Sequence, residues 1–173
     1  MMATLTAWPN QPIANAIRLL LLTGARRSEV LKATWDQFDL EIGVWLKPAA
    51  SVKQAKLHRV PLPRAAVAML ERMRASARAS HFLFPGRDLA EPIADIKKSW
   101  ASICHVAGIK QLRLHDLRHS YASMLASKGT SLPIIGAMLG HTQAATTNRY
   151  AHLLDDPLRQ AAEAGAAMIT RTR

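Results

Sequence analysis

The sequence predicts a mainly α-helical fold that includes one small three-stranded antiparallel β-sheet. Three observations carry this. Apolar residues recur at helical spacing along most of the 173-residue chain. Only between Trp35 and Leu62 does the pattern change to short, strand-like runs separated by turn residues. Finally, 49% of the residues are apolar, with no internal repeat and no low-complexity linker, so the chain can bury a core.

In order, Ile13, Ile17, Leu20 and Leu21 mark a helix that Gly24 stops. A short helix follows from about Arg27 to Ala33. Trp35–Leu40, Val44–Leu46 and His58–Leu62 are the strand candidates, with turns near Gly43 and around Gln54. Pro63 opens a helix with Ala66, Leu70, Met73 and Ala77 on one face. The loop His81–Gly86 carries Phe82 and Phe84, both expected to be buried. Pro92 is expected to open a helix striped by Ile93, Ile96, Trp100 and Ile103. Leu114, Leu117, Tyr121 and Met124 mark the next, ended by Gly129. Ser131 and Pro133 start a short helix that ends at Gly140, and Thr142 caps a helix carrying Tyr150. Asp156-Pro157 opens the last helix, to about Ile169. The expected organisation is one domain over residues 1–173, with its core at about 11–154 and a C-terminal helix at about 156–170.

Lys and Arg number 23 against 12 Asp and Glu, a formal net charge of +11. A domain this basic points to a polyanionic partner, nucleic acid first, although a solvated basic surface has the same composition. Cys104 is the only cysteine, so no internal disulfide can form, and a core thiol is expected among its apolar neighbours. Met1–Pro9 lacks the basic start and apolar core of a secretory signal, and the longest apolar run, Leu19–Leu22, is too short to span a bilayer. A cytoplasmic location without membrane contact is expected.

Six residues are candidates for chemistry. Read singly, each has an ordinary explanation: Tyr150 as a surface tyrosine, His115 and Arg118 as a solvated helical pair, His141 as a helix-end residue, Arg26 as an arginine near a helix start, Lys53 as a turn lysine. Together they are what attack on a phosphodiester needs. Charge develops on the non-bridging oxygens, which forked arginines match with paired donors. Histidine transfers protons near neutral pH, lysine can protonate a leaving oxygen, and tyrosine can attack and hold the phosphate covalently. Tyrosine, with a free pKa of about 10, needs a base and a cationic pocket to do so. The sequence shows no metal-ligand cluster and no Gly-rich Lys-Ser/Thr phosphate loop, so neither a metal nor a nucleotide cofactor is expected. A covalent phosphotyrosine would keep the energy of the broken ester for rejoining.

The segments carrying these residues resemble the tyrosine recombinases, the phage-integrase family. They are Thr23-Gly24-Ala25-Arg26-Arg27-Ser28-Glu29, Val52-Lys53-Gln54-Ala55-Lys56-Leu57-His58-Arg59-Val60-Pro61-Leu62, Leu114-His115-Asp116-Leu117-Arg118-His119-Ser120, and Leu139-Gly140-His141 with Tyr150 nine residues on. The resemblance runs from about Gln11 to Leu154. It implies a mainly helical catalytic domain with a small three-stranded sheet, acting as a site-specific recombinase or integrase on double-stranded DNA. It also implies roles. Arg26 and Arg118 hold the scissile phosphate, and His141 hydrogen-bonds one of its oxygens. His115 assists proton transfer from the tyrosine. Lys53 is the general acid for the departing 5′ oxygen, with Lys56 the competing choice. Tyr150 is the nucleophile of a 3′-phosphotyrosyl intermediate. Glu29 supports the arginine segment, while Arg27 and His119 are expected to face DNA or to be structural. Self-association on DNA, as a tetrameric synapse, is implied as well.

Two other readings share these residues: relaxation of DNA in the manner of a type IB topoisomerase, and a non-catalytic DNA-binding module of the same fold. Relatives usually carry a helical DNA-binding domain ahead of the catalytic one. Only some ten residues precede the first expected helix here, so the N-terminal DNA-binding domain is expected to be absent, in a fragment or a truncated gene product. The 173-residue chain should then bind duplex DNA weakly, with little sequence preference and an affinity that falls steeply with salt, as phosphate contacts release counterions. A filter-binding or anisotropy titration at several salt concentrations checks this; tight, salt-insensitive binding to one site contradicts it.

Overall fold

The structure, a computed structural model, describes residues 1–48, 57–76 and 80–170. These divide into two compact units, Met1–Arg118 and His119–Arg173. The first holds α1 (Met2–Ala7), α2 (Gln11–Thr23), α3 (Arg27–Leu31), β1 (Phe38–Asp39), β2 (Val44–Lys47), β3 (His58–Pro61), α4 (Arg64–Ala75), α5 (Lys97–Val106) and the first turn of α6 (Asp116–Ser127). The second holds the rest of α6, α7 (Leu132–Leu139), α8 (Ala144–Asn148), a 3-10 turn at Ala151–Leu154, and α9 (Asp155–Thr170).

In the first unit α2 is the central helix. The Asn10 side chain accepts the Ile13 N–H at its start, and Gly24, at φ +62°, ends it in the left-handed conformation that glycine adopts without strain. Ala14, Ala16, Ile17 and Leu19 are wholly buried. One helix more than the sequence predicts, α1, precedes it and buries Leu5.

The sheet has the order β1-β2-β3, both pairs antiparallel, with Trp45 of β2 opposite Phe38 on one side and Val60 on the other. Trp45 is fully buried, stacks on Phe38 at 5.0 Å between ring centroids, and donates its indole N–H to Gln37 Oε1 at 3.1 Å. The first strand is shorter than predicted because Trp35–Gln37 forms a 3-10 turn. There the Trp35 N–H is spent on His81 O and Thr34 bridges to Phe82, which binds this segment to the 81–83 loop. The predicted turn around Gln54 and the position of Ala77 lie outside the described residues.

Pro63 caps α4, as predicted. Pro92 does not open α5: it bridges to Pro85, and the Ile93 N–H bonds Phe84 O, so the chain there is extended. Asp95 accepts the N–H groups of Ile96 and Lys97, and the helix starts after it. Ile96, Trp100 and Ile103 are buried, as is Phe84, while Phe82 is half-buried. Cys104 is buried too, and burial pushes its thiol up, the state of an inert core cysteine.

The second unit packs Ala122 and Ala126 of α6 against Ile135, Leu139 and Tyr150. Because the buried face of α6 here runs through its alanines, Met124 points outward and is 58% exposed, contrary to expectation. Gly140, left-handed, ends α7 as predicted. Gln143 rather than Thr142 is the cap of α8, and Tyr150 follows that helix at the head of the 3-10 turn. No residue of α9 is buried. Its apolar stripe, Leu158, Ala161, Ala162, Gly165, Met168 and Ile169, keeps helical spacing. Among the described residues, no helix is long and apolar enough to cross a membrane.

Trp45 pins the sheet, so Trp45→Ala should cost about 3–5 kcal/mol, the range for truncating a buried large aromatic residue. Urea denaturation measures it: the midpoint should fall with the slope unchanged.

Candidate active site

The segment from Thr23 to Glu29 is a turn in which each residue has a task. The Thr23 hydroxyl donates to Leu19 O at 2.6 Å and accepts the Ala25 N–H at 3.3 Å. Gly24 reverses the chain, and Ala25 is buried. Arg26 stands at the start of α3, where Glu29 Oε2 accepts its backbone N–H at 2.9 Å, the acidic half of a capping box. Glu29 Oε1 pairs with Arg26 Nη1 at 2.8 Å.

The same carboxylate holds a third donor. Lys47, at the end of β2, is 3% exposed, and its Nζ lies 2.9 Å from Glu29 Oε2 and 4.4 Å from the centroid of the Trp45 ring. Arg118 is 5% exposed and donates from Nη1 to Gly24 O at 2.8 Å, across 94 residues of chain. Arg26 and Arg118 are thus brought to one turn, with Lys47 beneath.

Ionisation reflects this crowding. Burial drives the Glu29 carboxyl up, but Lys47 and Arg26 outweigh it and leave the group below the ordinary carboxylate range. Lys47 moves the opposite way to a simple ion-pair partner. Its burial lowers it, Glu29 restores part of the loss, and Arg118 and Arg26 lower it again. The pair is asymmetric: the carboxylate gains from it, while the ammonium never recovers its hydration. Two cations share one carboxylate and Arg118 stands close enough to act on Lys47, which leaves a net positive charge, the electrostatic setting for an anion.

His115 is exposed and immediately precedes α6. Its turn is tied by Asp116, whose carboxylate accepts the Arg113 backbone N–H at 2.9 Å, and the His115 carbonyl accepts the Arg118 N–H at 3.2 Å. Beside it opens a groove of about 1020 Å³ lined by Trp100, Cys104, Ile109, Leu112 and Leu114. The rim cations Arg27 and Arg113 are paired with Asp95 and Asp116. Lys97, His105, Gln111 and His115 also line the groove.

In the second unit, Thr147 serves two residues. Its hydroxyl lies 2.8 Å from His141 Nδ1, and its carbonyl accepts the Tyr150 N–H at 3.0 Å. Gly136 makes room for it: a Cβ there would come 3.0 Å from Thr147 Oγ1. Tyr150 is not the surface tyrosine its polar neighbours suggest. It is 5% exposed, and its hydroxyl is 2.7 Å from His119 Nδ1. Lys53 and Lys56 lie outside the described residues.

Sequence reasoning missed Lys47, Thr147 and the placement of His119. A lysine inside an apolar strand, Val44-Trp45-Leu46-Lys47, was the available signal for the first. His119, Ala122 and Ala126 at positions i, i+3 and i+7 were the signal for the last.

A family model described as the phage integrase family matches residues 2–156. The chain is 28% identical over 161 residues to the integrase of Salmonella phage P22, covering 87% of this chain and 41% of that protein. It is 33% identical over 155 residues to the tyrosine recombinase XerD of Pseudomonas putida, covering 83% and 50%. The chain thus spans about half the length of the curated relatives it matches. Among solved structures, the catalytic domain of bacteriophage HP1 integrase is 25% identical with a TM-score of 0.71, covering 94% of this chain and 87% of that one. A post-cleavage complex of the XerH site-specific recombinase with palindromic difH is 22% identical with a TM-score of 0.76, covering 93% and 49%, and supports the fold.

Glu29→Gln should destabilise the protein by about 3–5 kcal/mol, because it strands a buried ammonium, whereas Lys47→Met should be close to neutral. The pH dependence follows from the depressed Glu29. Its contribution is fully present above its unfolded pKa and is lost as pH falls through the lower folded value. Thermal melts from neutral to acid pH measure this; in Glu29→Gln the acid slope should be shallower.

Proposed function

Given that the chain belongs to the phage integrase family, we propose that it is the catalytic part of a site-specific DNA recombinase or integrase, which cleaves and rejoins duplex DNA through a covalent 3′-phosphotyrosyl intermediate. The observation that carries the reading is the convergence of Arg26 and Arg118 on the Gly24 turn, with Lys47 and Glu29 beneath. That turn holds two forked guanidinium groups in an environment of net positive charge. A phosphodiester, already anionic and gaining charge on its non-bridging oxygens during attack, is the ligand this arrangement suits.

In this reading Arg26 and Arg118 bind the non-bridging oxygens of the scissile phosphate. His141, oriented by Thr147, donates to one of them. Tyr150 Oη attacks phosphorus, the bond to the 5′ oxygen breaks, and Lys53 supplies the proton that this oxygen takes. By the family's pattern His115 assists proton transfer. Rejoining runs the same steps in reverse, with the 5′ hydroxyl attacking the phosphotyrosine, and needs neither metal nor nucleotide.

The partner is duplex DNA. Copies of the chain associate on it, and the exposed apolar stripe of α9 is the surface available for that association. We place the protein in the cytoplasm of a bacterium, or in a phage-derived element there, where its DNA lies.

The test is a suicide substrate: a pool of duplexes with randomised cores, each nicked so that the short leaving strand diffuses away. Wild-type protein should accumulate a covalent protein–DNA adduct, and Tyr150→Phe should form none. Each of Arg26→Ala and Arg118→Ala should slow adduct formation by about 10²-fold or more, the usual loss for one oxyanion donor. An adduct that survives Tyr150→Phe overturns the assignment of the nucleophile.

A further inference from the structure

Tyr150 is almost wholly inside the second unit, and the side chain that meets its hydroxyl there is His119. Nδ1 of His119 lies 2.7 Å from Tyr150 Oη, with ring centroids 6.2 Å apart and the planes tilted by 49°. His119 shares the buried face of α6 with Ala122 and Ala126, both of which pack in the core that holds Tyr150. The imidazole is therefore carried on a regular helix, on the side where the phenol sits.

We propose that His119 is a catalytic residue, the base that takes the phenol proton as Tyr150 attacks the phosphate, the part that the family resemblance gives to His115. This rests on the reading of Tyr150 as the nucleophile. A general base has to lie within hydrogen-bond reach of the proton it removes, about 2.6–3.2 Å between heavy atoms, and His119 meets that condition. A phenol with an ordinary pKa of about 10 does not hand its proton to an imidazole of about 6.5 at rest. The transfer becomes favourable only as the new bond to phosphorus draws electron density from the oxygen.

The step balances. Tyr150 Oη bonds to phosphorus, the bond from phosphorus to the 5′ oxygen breaks, the phenol proton goes to Nδ1 of His119, and the 5′ oxygen takes a proton from the general acid. In the rejoining direction the phosphotyrosine breaks, and the imidazolium of His119 returns the proton to the departing phenol oxygen. One group acts as base in cleavage and as acid in rejoining. The role requires the tautomer with the proton on Nε2, which leaves Nδ1 as the acceptor.

Two measurements test this. The first needs no DNA: ¹⁵N spectra of the imidazoles in the wild-type protein, with the His119 signal among the seven histidines assigned by through-bond connectivity to the backbone of α6. The proposal expects a neutral ring protonated on Nε2; a ring protonated on Nδ1 overturns it. The second uses the nicked-duplex pool. Asparagine keeps an acceptor oxygen near the place of Nδ1 but takes no proton, so a packing role would leave His119→Asn close to wild type. The proposal expects a loss of about 10²-fold or more in the rate of adduct formation, and partial recovery of His119→Gly by added imidazole. His119→Asn reacting at the wild-type rate overturns the base and leaves Tyr150 as nucleophile. An adduct in Tyr150→Phe overturns the nucleophile itself. The tautomer measurement on the unaltered chain decides the proposal even where a His119 variant fails to fold.

Discussion

The cationic side of the first unit is organised around one carboxylate. Glu29 accepts from the Arg26 backbone, the Arg26 guanidinium and the Lys47 ammonium at once. Without it, Lys47 would be a buried charge with only like charges near it, and the Arg26 turn would lose both its cap and its counter-ion. Even with it, the cluster holds more positive than negative charge. Packing and chain connectivity hold the cations together against their repulsion, and an incoming phosphate group lowers that repulsion. Part of the attraction for an anion is therefore stored in the fold before any ligand is bound.

Much of this was legible in the sequence, and the residues show why. The Thr23–Glu29 segment reads directly as a helix stop at Gly24 and the start of a short helix, because each depends on neighbours within four positions. The order of helices and the central strand follow from periodicity. What was not legible depended on distant partners. Lys47 can be buried only because Glu29, 18 residues earlier, supplies its counter-charge, and no local pattern records that pairing. Pro92 suits a first helical turn as well as an extended bridge. The choice was made by Phe84, whose carbonyl claims the Ile93 N–H. Tyr150 has polar neighbours along the chain, yet after α8 the backbone leaves the helical path and turns the ring inward onto the alanines of α6.

The neighbour rule on helices succeeded and misled together. Residues next to Arg118 do point away from it, by about 100° per position on an α-helix. For His119 that other direction is the interior of the second unit, where Tyr150 lies. Adjacency to a motif residue was thus no argument against a functional side chain. The face shared with Ala122 and Ala126 was the better guide.

The close approach at Gly136 has a consequence for how such a chain can vary. The hydroxyl of Thr147 occupies the space that a side chain at 136 would need, and that hydroxyl also fixes the ring of His141. The two positions therefore form one heritable unit. A side chain at 136 would press on the hydroxyl at 147 and, through it, on the ring of His141, so a change at one position is felt at the other two.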